Sequence, residues 1–289
     1  MNSFAVLGGD KRNVAIAESL FFQGYSVKLY GFDYFDRPMP MQCKRLDETL
    51  SCADVVIGPV PCAQHGELLN APFHNRPLTA AEVFGHMCAG KLFMAGMINT
   101  EIMAQAQAHN IHAIDLLTRE ELLIANAIPT AEGAIKIAIE ETDVTLHGSP
   151  ALVIGYGRIG TVLAAGLRGL GAQVCVAVDT LEAAARVKSA GHQAVFSREM
   201  SLPLRTAAVV FNTVPATVLD KCNMPHIDKS TVLIDLASPP YGINATDAKA
   251  AGLKVLYAAS LPGKTAPVTA GKYILDAVMQ ILDENGGVL

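Results

Sequence analysis

The chain has 289 residues, 51% hydrophobic and 17% charged, which is enough apolar material for one large or two medium domains. A net charge of −5 and the lack of any dense Lys/Arg run leave no electrostatic footprint for nucleic acid. Six cysteines without a C-x-x-C pair and eight histidines without an H-E-x-x-H pattern point to neither a disulfide framework nor a metal site, so no metal is expected and most cysteines are expected as buried fillers in a reducing compartment.

From the start of the chain, Phe4 to Leu7 reads as a first strand, with no basic n-region and no signal-type apolar stretch. No apolar run approaches the roughly 20 residues that span a bilayer, so no membrane is expected and the location is read as cytoplasmic. Gly8-Gly9-Asp10 follows that strand as a nucleotide-type turn lacking a third glycine. It is read as a substrate-facing loop and not as a second cofactor site. Strands are expected at Val27–Tyr30, Asp54–Ile57, Leu92–Ala95 and His112–Asp115, and helices at Asn13–Phe22, Ala80–Cys88 and Glu101–Ala108.

Pro129 to Glu141 reads as a connecting helix that starts at its proline, which suits a first turn. Glu132 then falls in that turn. The helix dipole accounts for it as structure, while a site-facing Glu132 would serve as acid/base with Thr130 as a hydrogen-bond partner. His147-Gly148-Ser149-Pro150 punctuates the chain as a hinge. His147 is either a proton carrier near neutral pH or a hydrogen-bonded structural residue.

The most informative stretch is Gly155-Tyr156-Gly157-Arg158-Ile159-Gly160. It lies between an apolar strand, Ala151–Ile154, and a helix, Thr161–Leu170, and Asp179 closes the next strand, Val174–Val178. That context makes it a dinucleotide fingerprint. The first glycine allows the tight turn, the second lets backbone approach a pyrophosphate, and the third lets helix and strand pack. Asp179 with Thr180 would meet the adenosine ribose diol, so NAD is the preferred cofactor over NADP. A helix at Leu181–Ala190 and strands near Ala194–Phe196, Ala208–Asn212, Thr231–Asp235 and Lys254–Tyr257 complete a six-stranded Rossmann sheet.

Ligands of such sheets lie outside the carboxyl ends of the strands. Asn212, Thr213, Val214 and Pro215 are therefore read as contacts beside the ribose and nicotinamide. Asp235 would orient a ribose or a loop, or cap the next segment. Leu261 to Pro267 reads as a loop whose Gly263-Lys264-Thr265 lacks the first glycine of a triphosphate-binding loop. Lys264 there suits a carboxylate, or is a solvated cation. No G-x-S-x-G elbow supports a serine hydrolase.

The expected architecture is α/β, with two doubly wound parallel-sheet domains. A flavodoxin-like substrate-side domain covers 1–128 and is joined by a C-terminal helix, 266–289. A connecting helix and hinge cover 129–147, and a Rossmann domain covers 148–265.

Val6-Leu7-Gly8-Gly9-Asp10 with Arg12, Ile128 to Ala134, Thr142 to Ser149, the glycine loop, Asn212 to Pro215, Leu233 to Ser238 and Leu261 to Pro267 together resemble the dipicolinate synthase A-subunit family. The resemblance spans nearly the whole chain. It implies a two-domain architecture like that of hydroxyacid and alanine dehydrogenases. It implies nicotinamide-dependent oxidation of a tetrahydrodipicolinate-type ring dicarboxylate to pyridine-2,6-dicarboxylate during sporulation, in the mother-cell cytoplasm. The synthase's flavoprotein-like B-subunit would be the partner, and doubly wound subunits often pair, so a homodimer is the base-rate expectation. In that reaction Glu132, His147 and Lys264 would be the catalytic residues, Glu132 or His147 removing a proton. Lys264, Thr265, Thr130 and Arg12 would hold the ring carboxylates, Arg12 as a bidentate clamp. Two positions depart from the family. Asp179 stands where an arginine suited to NADP is common, and Pro239 stands where an arginine usually follows Ser238. A cofactor-holding regulatory subunit, or an oxidoreductase on another amino-acid-derived dicarboxylate, are the alternative functions.

Overall fold

A computed structural model describes residues 3–284, so Met1, Asn2 and the stretch 285–289 of the expected C-terminal helix lie outside the described residues. The chain divides into a first unit, residues 1–125 with 266–289, and a second unit, residues 126–265.

Five parallel strands form the main sheet of the first unit: β1 (Ser3–Leu7), β2 (Ser26–Tyr30), β3 (Val55–Ile57), β6 (Leu92–Ala95) and β7 (His112–Asp115). A two-stranded hairpin, β4 (Ala63–His65) with β5 (Leu68–Leu69), interrupts the crossover between β3 and β6. The spatial order β2-β1-β3-β6-β7 is the flavodoxin-like order, which reverses direction between β1 and β3. Strand β3 is buried at every position, as expected of a strand covered on both faces. Helices α1 (Lys11–Phe22), α2 (Leu46–Leu50), α3 (Ala80–His86) and α4 (Thr100–Ala108) supply the crossovers. Side-chain caps start three of them: Asp10 for α1, Thr79 for α3 and Asn99 for α4.

Helix α5 (Glu120–Glu141) begins in the first unit and continues into the second. It does not start at Pro129 as the sequence suggests, because Pro129 lies inside it. The ring removes one amide donor. Burial of Ala127, Ala131, Ala134 and Ala138 keeps the helix continuous past that point. By length and composition α5 is also the one described helix apolar enough to cross a membrane, contrary to the sequence reading that no such run exists.

The second unit holds a six-stranded parallel sheet. Its strands are β8 (Pro150–Ile154), β9 (Gln173–Val178), β10 (Gln193–Phe196), β11 (Val209–Asn212), β12 (Val232–Asp235) and β13 (Val255–Tyr257). Their order, β10-β9-β8-β11-β12-β13, is that of a complete Rossmann sheet. Register places Ile154 beside Ala177 of β9 and Asn212 of β11, so the carboxyl ends of β8, β9 and β11 share one edge. Helices α6 (Arg158–Gly169) and α7 (Leu181–Ser189) cover one face, over a core that includes Val153, Leu163, Val176 and Phe211. The short helices α8 (Ser201–Thr206) and α9 (Ala245–Ala250) lie over the other, with Leu152, Val210 and Leu233. Leu261–Thr265, expected as loop, forms a further short helix, α10.

Helix α11 (Pro267–Glu284) closes the first unit, where Ile274, Leu275, Val278, Ile281 and Leu282 enter the core shared with α1 and β1. Of the six cysteines only Cys62 and Cys175 are buried, and Cys52, Cys88 and Cys222 are exposed, so most are not core fillers. Burial pushes the Cys62 thiol up to about 12 and the Cys175 thiol to about 11.

Candidate functional site

The site is built at the carboxyl edge of the second unit's sheet, starting where β8 turns into α6. Gly155 has φ +95°, a conformation open to glycine at no steric cost, and a Cβ there would stand 2.5 Å from the Thr213 hydroxyl. A Cβ on Gly160 would overlap the Gly155 carbonyl, so only glycine lets α6 pack this close to the turn. Gly157 differs from both, because a Cβ there meets nothing within 4 Å. It is the N-cap of α6, and no side chain caps that first turn. An open cradle above uncapped amides at the positive end of a twelve-residue helix fits a pyrophosphate. Arg158 is exposed at the same turn, and Ile159 packs on the core. The Tyr156 ring is half-buried, edge-on to His192 at 6.4 Å, so what Tyr156 offers the cradle is its backbone.

Asp179 follows β9 and is exposed, and among the described residues its carboxylate makes no hydrogen bond or ion pair. Thr180 has a structural task as N-cap of α7, its hydroxyl accepting from the Ala183 amide at 3.1 Å. An open carboxylate at the second strand's end suits a ribose diol.

Asn212 and Asp235, expected to touch the cofactor, are instead fully buried and joined as a brace beneath the edge. Asn212 Nδ2 donates to Asp235 Oδ1 at 2.8 Å and to the Val214 carbonyl at 3.0 Å, while Asn212 Oδ1 accepts from the Val214 amide. Asp235 Oδ2 accepts from the amides of Gly242 and Ile243, both at 2.8 Å, and Oδ1 accepts from Ala237. The pair therefore fixes two loops against each other. Thr213 bonds the Ile154 carbonyl through amide and hydroxyl and stands beside Gly155, Val214 is half-buried, and Pro215 is exposed at the loop's crest.

Glu132 is exposed in the interior of α5, not in its first turn, so the dipole does not account for it. Its neighbour Gly133 gives it context: a Cβ there would stand 2.5 Å from the Thr265 hydroxyl and 3.1 Å from Leu261 Cβ, so α10 packs on α5 at this turn. Helix α10 starts four residues after β13 ends, which brings Glu132, Lys264 and Thr265 to the carboxyl edge of the same sheet. Lys264 is exposed and donates to the Ala259 carbonyl at 3.0 Å. The Thr130 hydroxyl donates to the Asn126 carbonyl within the helix at 2.7 Å.

Two expected residues lie apart from this edge. His147 is exposed just ahead of Pro150, at the amino end of β8 and one strand length from the cradle. The direction of β8 removes it from a proton-transfer role beside the cofactor. Arg12, in the first unit, is 4% exposed. Its guanidinium is paired with Asp10 at 2.9 Å and bonded to the Val60 carbonyl, so it shapes its own loop and has no fork turned outward as a clamp. The neighbouring Gly8-Gly9 turn is filled by the chain itself, the Gly9 amide donating to the Asn70 carbonyl at 2.7 Å and Ala71 packing against Gly8.

Sequence reasoning missed Tyr241, Gly242 and Tyr257. Gly242 packs under the Asn212–Ala216 loop, where a Cβ would come within 2.6 Å of the Val214 carbonyl and 2.8 Å of the Ala216 carbonyl. Tyr257 donates to the Ile243 carbonyl at 3.0 Å, and burial, then Asp235 and Tyr241, push its phenol above the usual tyrosine range. Gly242, two residues after Pro240, was the available signal. A cavity of about 590 Å³, lined by Leu152, Cys175, Val195, Leu202 and Pro203 among others, lies toward the amino ends of β8, β9 and β10. Strand direction argues against it as the cofactor site.

A Rossmann sheet with this cradle, in a chain whose first unit has the flavodoxin-like order, defines the class: a two-domain α/β protein of the nicotinamide-dependent oxidoreductase type. Residues 151–239 match the family model described as NADP oxidoreductase, coenzyme F420-dependent, and residues 3–117 match that of the N-terminal domain of the dipicolinate synthase A-subunit. The chain is 30% identical to the dipicolinate synthase A-subunit of Bacillus subtilis (strain 168) over 283 residues, 97% of this chain and 95% of that protein. The crystal structure of the Bacillus halodurans dipicolinate synthase A-subunit superimposes with a TM-score of 0.87 at 30% identity, over 97% of each chain. A transhydrogenase from Sinorhizobium meliloti shares the fold, with a TM-score of 0.74 at 16% identity over 97% of this chain and 93% of that one. The chain belongs to the dipicolinate synthase A-subunit family.

Proposed function

We propose that this chain holds a nicotinamide dinucleotide at the carboxyl edge of its second unit. There, within a dipicolinate synthase, it oxidises a dihydrodipicolinate, the ring dicarboxylate left when a hydroxytetrahydrodipicolinate loses water, to pyridine-2,6-dicarboxylate. One hydride passes to the nicotinamide and one proton to a base. The observation that carries the reading is the open position at Gly157 above the uncapped first turn of α6. The nicotinamide ring, when bound, supplies the hydride acceptor. The chain's own task is positioning, and loss of hydride aromatises the substrate, so little more than one base is needed.

The pyrophosphate would rest on the amides following Gly157, and Asp179 would accept from both ribose hydroxyls. Thr213, Val214 and Pro215 would form the wall beside the nicotinamide, held in place by Asn212 and Asp235. Lys264 and Thr265 on α10 would hold a ring carboxylate, and Glu132, on the turn of α5 packed against α10, would take the proton. The partner would be the flavoprotein-like second component of the synthase, and the setting the cytoplasm of a sporulating mother cell.

The test is titration of the purified full chain with NAD and NADP side by side. Asp179 predicts tighter NAD binding, because its carboxylate repels a 2′-phosphate. NADP binding the tighter of the two would overturn the role given to Asp179, and binding of neither would overturn the cofactor reading itself.

A further inference from the structure

Tyr241 holds a backbone conformation that its residue type disfavours, with φ +67°. A bulky side chain at positive φ is a genuine outlier, while glycine adopts it freely. A glycine stands one residue later, at 242, where φ is not positive and where close packing under the Asn212–Ala216 loop excludes any Cβ. The turn therefore uses its glycine for contact and leaves the left-handed position to an aromatic residue. Asp235 fixes this arrangement by accepting from the amides of Gly242 and Ile243, and the Tyr241 amide closes the turn on the Ser238 carbonyl at 3.0 Å.

The side chain is half-buried, its ring centroid 4.7 Å from that of Tyr257 at an interplanar angle of 56°. Tyr257 has its own hydrogen bond to the Ile243 carbonyl, whereas the Tyr241 hydroxyl has no hydrogen-bond partner among the described residues. Tyr257 ends β13 and the 238–243 turn follows β12, so both rings stand at the carboxyl edge on the side of α10 and Lys264.

We propose that Tyr241 is a substrate-specificity residue: its ring forms a flat wall for a planar ring acid, and its hydroxyl donates to a carboxylate of that acid. The assignment rests on the reading of this edge as the nicotinamide half of the site, and it names the residue that recognises the substrate there. Tyr257, locked by its own bond, backs the wall. Pro239 and Pro240 carry the turn out to this position.

The experiment measures binding of pyridine-2,6-dicarboxylate by calorimetry, and turnover with its reduced precursor. It uses the full chain, by itself and with its synthase partner, as wild type, Y241F and Y241G. Y241F should weaken dicarboxylate binding about tenfold, the loss of one hydrogen bond to a charged group. Nicotinamide-dinucleotide affinity should stay within about twofold. Y241G relieves the backbone, so its melting temperature should hold or rise while kcat/KM falls further than in Y241F. Dicarboxylate binding unchanged in both variants overturns the assignment, as does a parallel loss of dinucleotide affinity, which would make Tyr241 part of the cofactor wall. Wild-type protein that binds dinucleotide but no dicarboxylate also overturns it. Wild-type protein that binds dicarboxylate but no dinucleotide sinks the cofactor reading instead and leaves Y241F as the measure of Tyr241.

Discussion

Gly157 and Gly160 are three residues apart in one motif, and the structure assigns them opposite kinds of work. Gly160→Ala places a Cβ onto the Gly155 carbonyl, which must move α6 or the turn. We expect a loss of about 1–3 kcal/mol in stability from that overpacking, read by urea denaturation. Gly157→Ala meets open space, so its denaturation midpoint should match wild type. Its methyl would stand where the pyrophosphate approaches, and dinucleotide affinity should fall about tenfold or more. Equal stability loss in the two variants would refute the division. Tyr241 extends the same logic, since a non-glycine residue at positive φ costs roughly 1–3 kcal/mol that the surrounding packing must offset.

Between elements, the Asn212–Asp235 brace ties the ends of β11 and β12 to the 238–243 turn. Asp235→Ala would strand the buried backbone amides of Ala237, Gly242 and Ile243 and one N–H of the Asn212 side chain. The expected cost is about 3–5 kcal/mol, of the order seen when one partner of a buried charged network is removed. A circular-dichroism melt within a degree of wild type would show that the brace is dispensable. Elements with one clear period were legible from sequence: the glycine loop, the six strands of the second unit and α6 follow from short apolar runs and turn glycines. Helix α5 was misread because Pro129 suits a first turn, and only burial of Ala127 shows that the helix has already begun. Pro262 and Gly263 likewise read as loop where packing against Gly133 stabilises a helical turn. Asn212 and Asp235 read as ligand contacts because a polar side chain at a strand end looks the same whether it faces solvent or a neighbouring loop. The turn carrying Tyr241 was silent because its strain exists only once Gly242 is packed.

Across the fold, acid sensitivity and closure of the first unit have local origins. Asp54 bonds Lys91 Nζ at 2.7 Å and the Ser3 amide and hydroxyl, both at 2.9 Å. The Lys91 hydrogen bond, then that from Ser3, holds its carboxyl down to about 2 from an ordinary 3.8. A depressed carboxylate contributes stability that is complete above the ordinary value and is lost as pH falls through the folded one. Asp54→Asn should therefore be less stable than wild type at pH 7, by about 1 kcal/mol or less for a partly exposed pair. The gap should close between about pH 4 and pH 2. A gap that stays constant over that range would remove Asp54 from the acid response. Helix α11 brings five large apolar side chains into the first unit's core, each contributing roughly 1.5–3 kcal/mol as an upper bound. Gly271, whose Cβ would come within 2.7 Å of the Arg12 carbonyl, sets the approach to α1. Gly271→Leu should raise hydrogen exchange in α1 and β1 while leaving β8 and α6 protected, and uniform exposure of both units would contradict this.

The discontinuity of the first unit also bears on how the chain emerges during synthesis. Residues 126–265 are one uninterrupted segment, so the dinucleotide-binding unit has every strand of its sheet once Thr265 leaves the ribosome. The first unit is translated earlier but cannot finish its core until α11 follows. The first unit, begun before the second, is then completed after it, and its apolar surface against α1 waits for α11. Chaperone contact during translation should concentrate there, on the half of the molecule that carries no cofactor fingerprint.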